Sequence, residues 1–108
     1  MATPEDLEKF FTQVSRPQNF ESFWHSALTE LSEVPLEPRI SSVPLRSNAE
    51  VHVAQATYRS LGGLEIAAWY CVPAQGRGPF PAVIHFPGYK GEPALRREWG
   101  RKGVVTLT

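Results

Sequence analysis

The residues best placed to do chemistry follow a short apolar run. Pro81-Ala82-Val83-Ile84-His85-Phe86 leads directly into Pro87-Gly88-Tyr89-Lys90-Gly91. A small-residue turn after a strand leaves backbone N–H groups free to point into the crevice at a sheet's carboxyl end. Donors in that position hold the negative oxygen that develops when an ester carbonyl is attacked. The loop is a candidate site through its backbone donors, and Gly88, Tyr89 and Lys90 within it are the candidate substrate-binding residues.

The partners that such a loop needs are absent. A serine nucleophile on a sharp strand-to-helix turn has the pattern Gly-x-Ser-x-Gly, and this sequence has none. Ser15, Ser22, Ser26 and Ser32 fall in or near helical segments, and Ser41, Ser42, Ser47 and Ser60 in strands and turns. Asp6 is the only aspartate; His25, His52 and His85 are the only histidines, none with an orienting acid near it in sequence. These residues do not compose a catalytic triad. Cys71 is the only cysteine, so it has no disulfide partner and cannot build a zinc site alone. Its apolar surroundings predict a small buried hydrophobe.

Eleven basic and eleven acidic residues are interspersed to a formal charge of zero, with no basic stripe to track a phosphate backbone. Nucleic acid is therefore not an expected partner. Nor is a membrane, because no apolar run approaches the ~20 residues needed to cross a bilayer. The acidic start, Met1 to Asp6, lacks a secretory pattern, and a cytoplasmic location is the expectation.

Elements must position the loop. Phe20, Phe23, Trp24, Ala27, Leu28 and Leu31 form one stripe at helical period, predicting a helix over 20–33 that packs on a sheet. Asn19 is placed to cap it, Glu21 suits its positive end, and Pro35 prevents its continuation. A shorter helix over Pro4–Val14 carries Leu7, Phe10, Phe11 and Val14 on one face. From Pro38 the period changes. Arg39–Arg46 contains scattered β-formers, and Val51–Ser60 and Leu64–Val72 flank Leu61-Gly62-Gly63, predicting an antiparallel hairpin with glycine at positive φ. The near-continuous apolar run 81–86 suits a strand covered on both faces. Pro93–Trp99 predicts a helix with Pro93 in its first turn and Gly100 or Gly103 near its end. Val104–Thr108 predicts a strand parallel to 81–86 through a βαβ crossover. The chain stops inside that strand, so a sheet continuing beyond Thr108 is expected; the alternative is an edge strand of a complete small α+β domain.

The chain resembles the acetyl xylan esterase and cephalosporin-C deacetylase family of α/β-hydrolases. The likeness runs through Phe23-Trp24 and Leu28, Pro35-Leu36-Glu37-Pro38, and the Tyr58-Arg59-Ser60-Leu61-Gly62-Gly63 turn. It continues through the strand ending Val72-Pro73, the 81–89 segment, and the Trp99 to Gly103 approach to the last strand. The resemblance implies an α/β fold, with residues 1–108 forming the N-terminal portion of the hydrolase domain: N-terminal helices, then a hairpin leading into a βαβ unit of a mixed sheet. It implies that Tyr89 donates its backbone N–H to the oxyanion and that its side chain helps shape the acyl pocket. Lys90-Gly91-Glu92-Pro93 departs from the more glycine- or serine-rich loop of many relatives. His85 matches no catalytic histidine and is either structural or at the pocket mouth. The implied reaction is metal- and cofactor-free hydrolysis of acetyl esters of xylo-oligosaccharides or cephalosporin-type compounds by oligomeric proteins, with nucleophile, acid and histidine downstream. A different class of function is a stand-alone binding module, taking carbohydrate through Trp69, Tyr70 or Trp99.

Overall fold

The computed structural model describes residues 1–108. Its centre is a five-stranded mixed sheet in the order β1-β2-β3-β5-β4. These strands are β1 (Arg39–Ser42), β2 (Val51–Arg59), β3 (Glu65–Pro73), β4 (Ala82–Ile84) and β5 (Val105–Leu107).

The hairpin forms as its glycines predict. Gly62 and Gly63 have φ of +68° and +74°, and β2 pairs with β3 from Val51↔Pro73 to Arg59↔Glu65. Two polar side chains launch β2. Asn48 Oδ1 accepts from the N–H groups of Glu50 and Val51, each at 2.8 Å. Ser47 Oγ accepts from the Val53 N–H at 2.9 Å and donates to the Val43 carbonyl at 3.1 Å. Pro44–Arg46 is a 3-10 turn, so the β-formers expected through Arg46 end as a strand at Ser42.

Cross-strand partners share a face. One face carries Val51, Val53, Cys71 and Thr106, all buried, with Val51 wholly inaccessible. Val43, Trp69 and Leu95 pack against this core. Helix α3 (Arg97–Gly100) closes it, touching β2, β3 and β5. Cys71 is the buried small residue expected. The opposite face carries Ile40, Tyr58, Ile66, Tyr70, Ile84 and Leu107 along the β1–β2, β2–β3, β3–β5 and β4–β5 pairings. There they line two adjoining open grooves of about 390 and 420 Å³.

Strand β4 is not covered on both faces. Ala82, Val83 and Ile84 are all exposed, because β4 is an outer strand with β5 as its one neighbour and no helix packs substantially on it. The expected parallel pairing does form, with Val83↔Thr106 as its middle pair. Strand β5 is also antiparallel to β3 through Tyr70↔Leu107 and Cys71↔Thr106. It is therefore an interior strand, not the edge strand of the alternative reading.

The helices depart furthest from expectation. Helix α2 (Phe20–Ser32) forms where expected and ends one residue earlier, at Ser32, but Asn19 makes no side-chain cap. Its carbonyl instead accepts from the Ser22 hydroxyl at 3.0 Å. The apolar stripe does not dock on the sheet: Trp24 is 51% exposed, and the helix's main tertiary contact is the Leu61–Gly63 turn. Phe20 and Phe23 stack edge-on against Trp24 instead.

Helix α1 (Pro4–Glu8) stops far short of Val14, since a short helix without a surface to bury its stripe is marginal. Thr3 and Asp6 form a capping box at its start. Two hydrogen bonds from Thr3, backbone N–H and then hydroxyl, hold the Asp6 carboxyl below the usual aspartate range. That support is present at neutral pH and is lost as pH falls through the lowered value.

Helix α3 is confined to Arg97–Gly100, so Pro93 does not sit in its first turn. Leu95 is drawn onto the core before the helix starts, and Arg96 is non-helical at φ −103° and ψ 55°. The N-terminal arm and α2 leave the chain extended. Its radius of gyration is 19.5 Å, against about 13 Å for a compact chain of this length.

Gly100 is the tightest seat in the fold. A Cβ there would stand 2.6 Å from Val51 Cγ2 and 2.9 Å from Cγ1. Gly100→Ala is expected to destabilise the chain by about 1–3 kcal/mol in urea unfolding. Adding Val51→Ala should recover part of that loss, whereas strictly additive effects would mean the two residues do not press on one another.

Candidate functional site

The loop 85–91 leaves the carboxyl end of β4, the end at which sheet-based sites form. The parallel ladder reaches one residue beyond the strand, where the His85 N–H donates to the Leu107 carbonyl at 2.8 Å. The chain then turns sharply. The Gly91 N–H donates to the Gly88 carbonyl at 2.7 Å, closing a four-residue turn with Tyr89 and Lys90 at its centre. Lys90 takes φ +59° while Tyr89 does not enter the positive region. Positive φ confined to the second central residue is the pattern of a type II turn. Lysine in that place carries a strain that glycine would not.

Gly91 is required sterically. A Cβ there would lie 2.8 Å from the Gly88 carbonyl oxygen that its own N–H binds. The Gly-Tyr-Lys-Gly spacing was the signal for this closure.

The N–H groups of Gly88, Tyr89 and Lys90 bond to no group of the chain. Tyr89 is 95% exposed, with the Lys90 ammonium 5.7 Å from its ring centroid. His85, Phe86 and Pro87 line the 390 Å³ groove together with Tyr58, Ile66 and Thr108. Gly88, Tyr89 and Lys90 are not among its walls. The loop thus presents a stretch of free donors beside an apolar groove.

The remaining candidates are dispersed. His25 lies in α2, His52 in β2 and Asp6 in α1. No group of three or more His, Cys, Asp or Glu side chains is placed to hold a metal ion. Trp69 and Tyr70 point to opposite faces: Trp69 packs on the core beneath the Arg46 guanidinium, 5.3 Å from its ring centroid, and Tyr70 lines the 420 Å³ groove. Trp99 sits on α3, partly exposed. They make no common platform for a sugar ring. One partner of the loop was missed from sequence: Arg96 Nη2 stands 3.4 Å from His85 Nε2. Nothing in the residue pattern singled out this arginine from its neighbour.

The sequence profile of the acetyl xylan esterase (AXE1) family matches residues 2–106. The chain belongs to the acetyl xylan esterase family. Its fold is similar to that of acetyl xylan esterase 1 from Thermoanaerobacterium sp. JW/SL YS485, with a TM-score of 0.86 at 19% identity. The acetyl xylan esterase from Paenibacillus sp. R4 superimposes with a TM-score of 0.82 at 21% identity. Each match covers 98% of this chain, but only 34% and 35% of the respective relative. The chain thus spans about a third of the length of these acetyl xylan esterases. An expected resemblance to an N-terminal portion of that α/β fold agrees with this coverage. No helix is long and apolar enough to cross a membrane.

Gly91→Ala is expected to open the Gly88–Gly91 turn of this acetyl xylan esterase segment. Losing one hydrogen bond of about 1 kcal/mol should speed amide exchange at residue 91 about five-fold. Unchanged protection would show that the turn does not depend on the missing Cβ.

Proposed function

We propose that this chain supplies the oxyanion-hole loop of an acetyl esterase, with the backbone N–H of Tyr89 as the donor. The observation that carries the reading is a free N–H in a hydrogen-bonded turn at the carboxyl end of β4, in a chain of the acetyl xylan esterase family. Gly88 and Lys90 flank the donor and are proposed to contact substrate. The choice of Tyr89 among three free N–H groups follows the family resemblance.

The reaction is acyl transfer. A serine hydroxyl from outside these residues attacks the acetyl carbonyl and gives its proton to a base. The carbonyl electrons move onto oxygen, which the Tyr89 N–H and a second backbone donor hold. Collapse expels the sugar alcohol with that proton, and water then releases acetate from the acyl-serine by the same two steps. One such donor is worth about 3 kcal/mol of barrier. Substrates of the longer protein are proposed to be acetylated xylo-oligosaccharides, cephalosporin-type compounds or other small acetyl esters. Oligomeric assembly and a cytoplasmic location belong to the same reading.

Without a nucleophile the loop has nothing to accelerate. The purified 108-residue chain is expected to hydrolyse p-nitrophenyl acetate no faster than buffer or heat-treated protein. Turnover above both controls would overturn this reading.

In a full-length family protein carrying this segment, Tyr89→Pro is the sharper test. Proline is favoured at the first central position of such a turn, so the turn persists while the donor disappears. kcat should fall about 10²–10³-fold, and Tyr89→Phe, which keeps the N–H, should stay near the parent rate. Equal kcat for Tyr89→Pro and the parent would remove Tyr89 from the oxyanion hole.

A further inference from the structure

We propose that Arg96 is a positioning residue for the 85–91 loop, acting through a hydrogen bond to Nε2 of His85. The two side chains lie eleven residues apart in sequence, with Arg96 Nη2 3.4 Å from His85 Nε2. A guanidinium has only donors, so this contact requires the lone pair of Nε2. The contact therefore selects the His85 tautomer with its proton on Nδ1. The backbone of the same residue is pinned to β5 by its bond to the Leu107 carbonyl. His85 is thus tied at both ends, to the sheet through its N–H and to the segment before α3 through its ring.

That segment is a firm anchor. Leu95 packs on the buried cluster, and Arg97 Nη1 donates to the Arg46 carbonyl at 3.2 Å. Arg96 itself reaches Glu98 at 3.7 Å, and its Nε is buried without a partner. The guanidinium is held between Glu98 and His85. Between His85 and Arg96 the one other hydrogen bond is the Gly88–Gly91 turn. The His85–Arg96 contact therefore ties the loop to the segment before α3 and limits where the turn can stand. Its consequence for catalysis rests on the oxyanion reading above; the contact itself does not.

The test reads the tautomer of His85 by long-range proton–nitrogen NMR on the labelled chain, at about pH 8.5, where histidine is neutral. The parent chain is expected to show His85 chiefly as the Nδ1–H form. Arg96→Met should shift it to the Nε2–H form that predominates in a free side chain, and Arg96→Lys, which retains an N–H donor, should restore Nδ1–H. Amide exchange at Gly91 should rise about five-fold in Arg96→Met, as for loss of one hydrogen bond. A parent chain already in the Nε2–H form, or a tautomer that ignores Arg96→Met, overturns the proposal. If Arg96→Met does not fold, the parent tautomer decides alone. None of these measurements requires turnover, so failure of the oxyanion reading and failure of this one are separable.

Discussion

The placement of the strands and of the loop depends on the β2–β3 ladder and the face it closes with α3. Nine residues of each strand pair without interruption, and the ladder brings Val51, Val53 and Cys71 into a single dry cluster. Gly100 lets α3 approach Val51 to a distance that no side chain would permit. That approach turns the chain back after the loop, so that β5 enters the sheet beside β3. Burial of a few aliphatic groups, each worth about 1.5–3 kcal/mol, therefore fixes the position of residues far from them in sequence.

The loop inherits its position from this packing. Strand β5 lies between β3 and β4, antiparallel to one and parallel to the other. Only because β5 is interior does β4 have a neighbour, and only through Leu107 is His85 tied down. The turn at Gly88–Gly91 then leaves three donors unspent, beside a groove on the sheet face opposite the core. Covered and uncovered faces have different roles: one holds the fold, the other lies open beside the loop.

The open face and the helices share one physical cause. An apolar stripe is stable only against a matching surface. The sheet's second face and the α2 stripe are both apolar and are not brought together here, so Ile84 is 60% exposed and α2 rests on the Leu61–Gly63 turn. Local periodicity reported that each surface is apolar. It carried no information about which surface would meet which.

What the sequence by itself determined is local. Gly62-Gly63 set the hairpin, the 3.6-residue stripe set α2, the hydrophobic setting of Cys71 marked a core position, and Gly-Tyr-Lys-Gly set the turn. The ordered motifs also marked the family. Each of these depends on conformational preferences or spacings within a few residues. Tertiary structure alone decided the rest. It made β5 an interior strand, left β4 exposed, cut α1 and α3 short, and brought Arg96 to His85. Those outcomes depend on contacts between segments distant in sequence, where the energy of packing outweighs local preference.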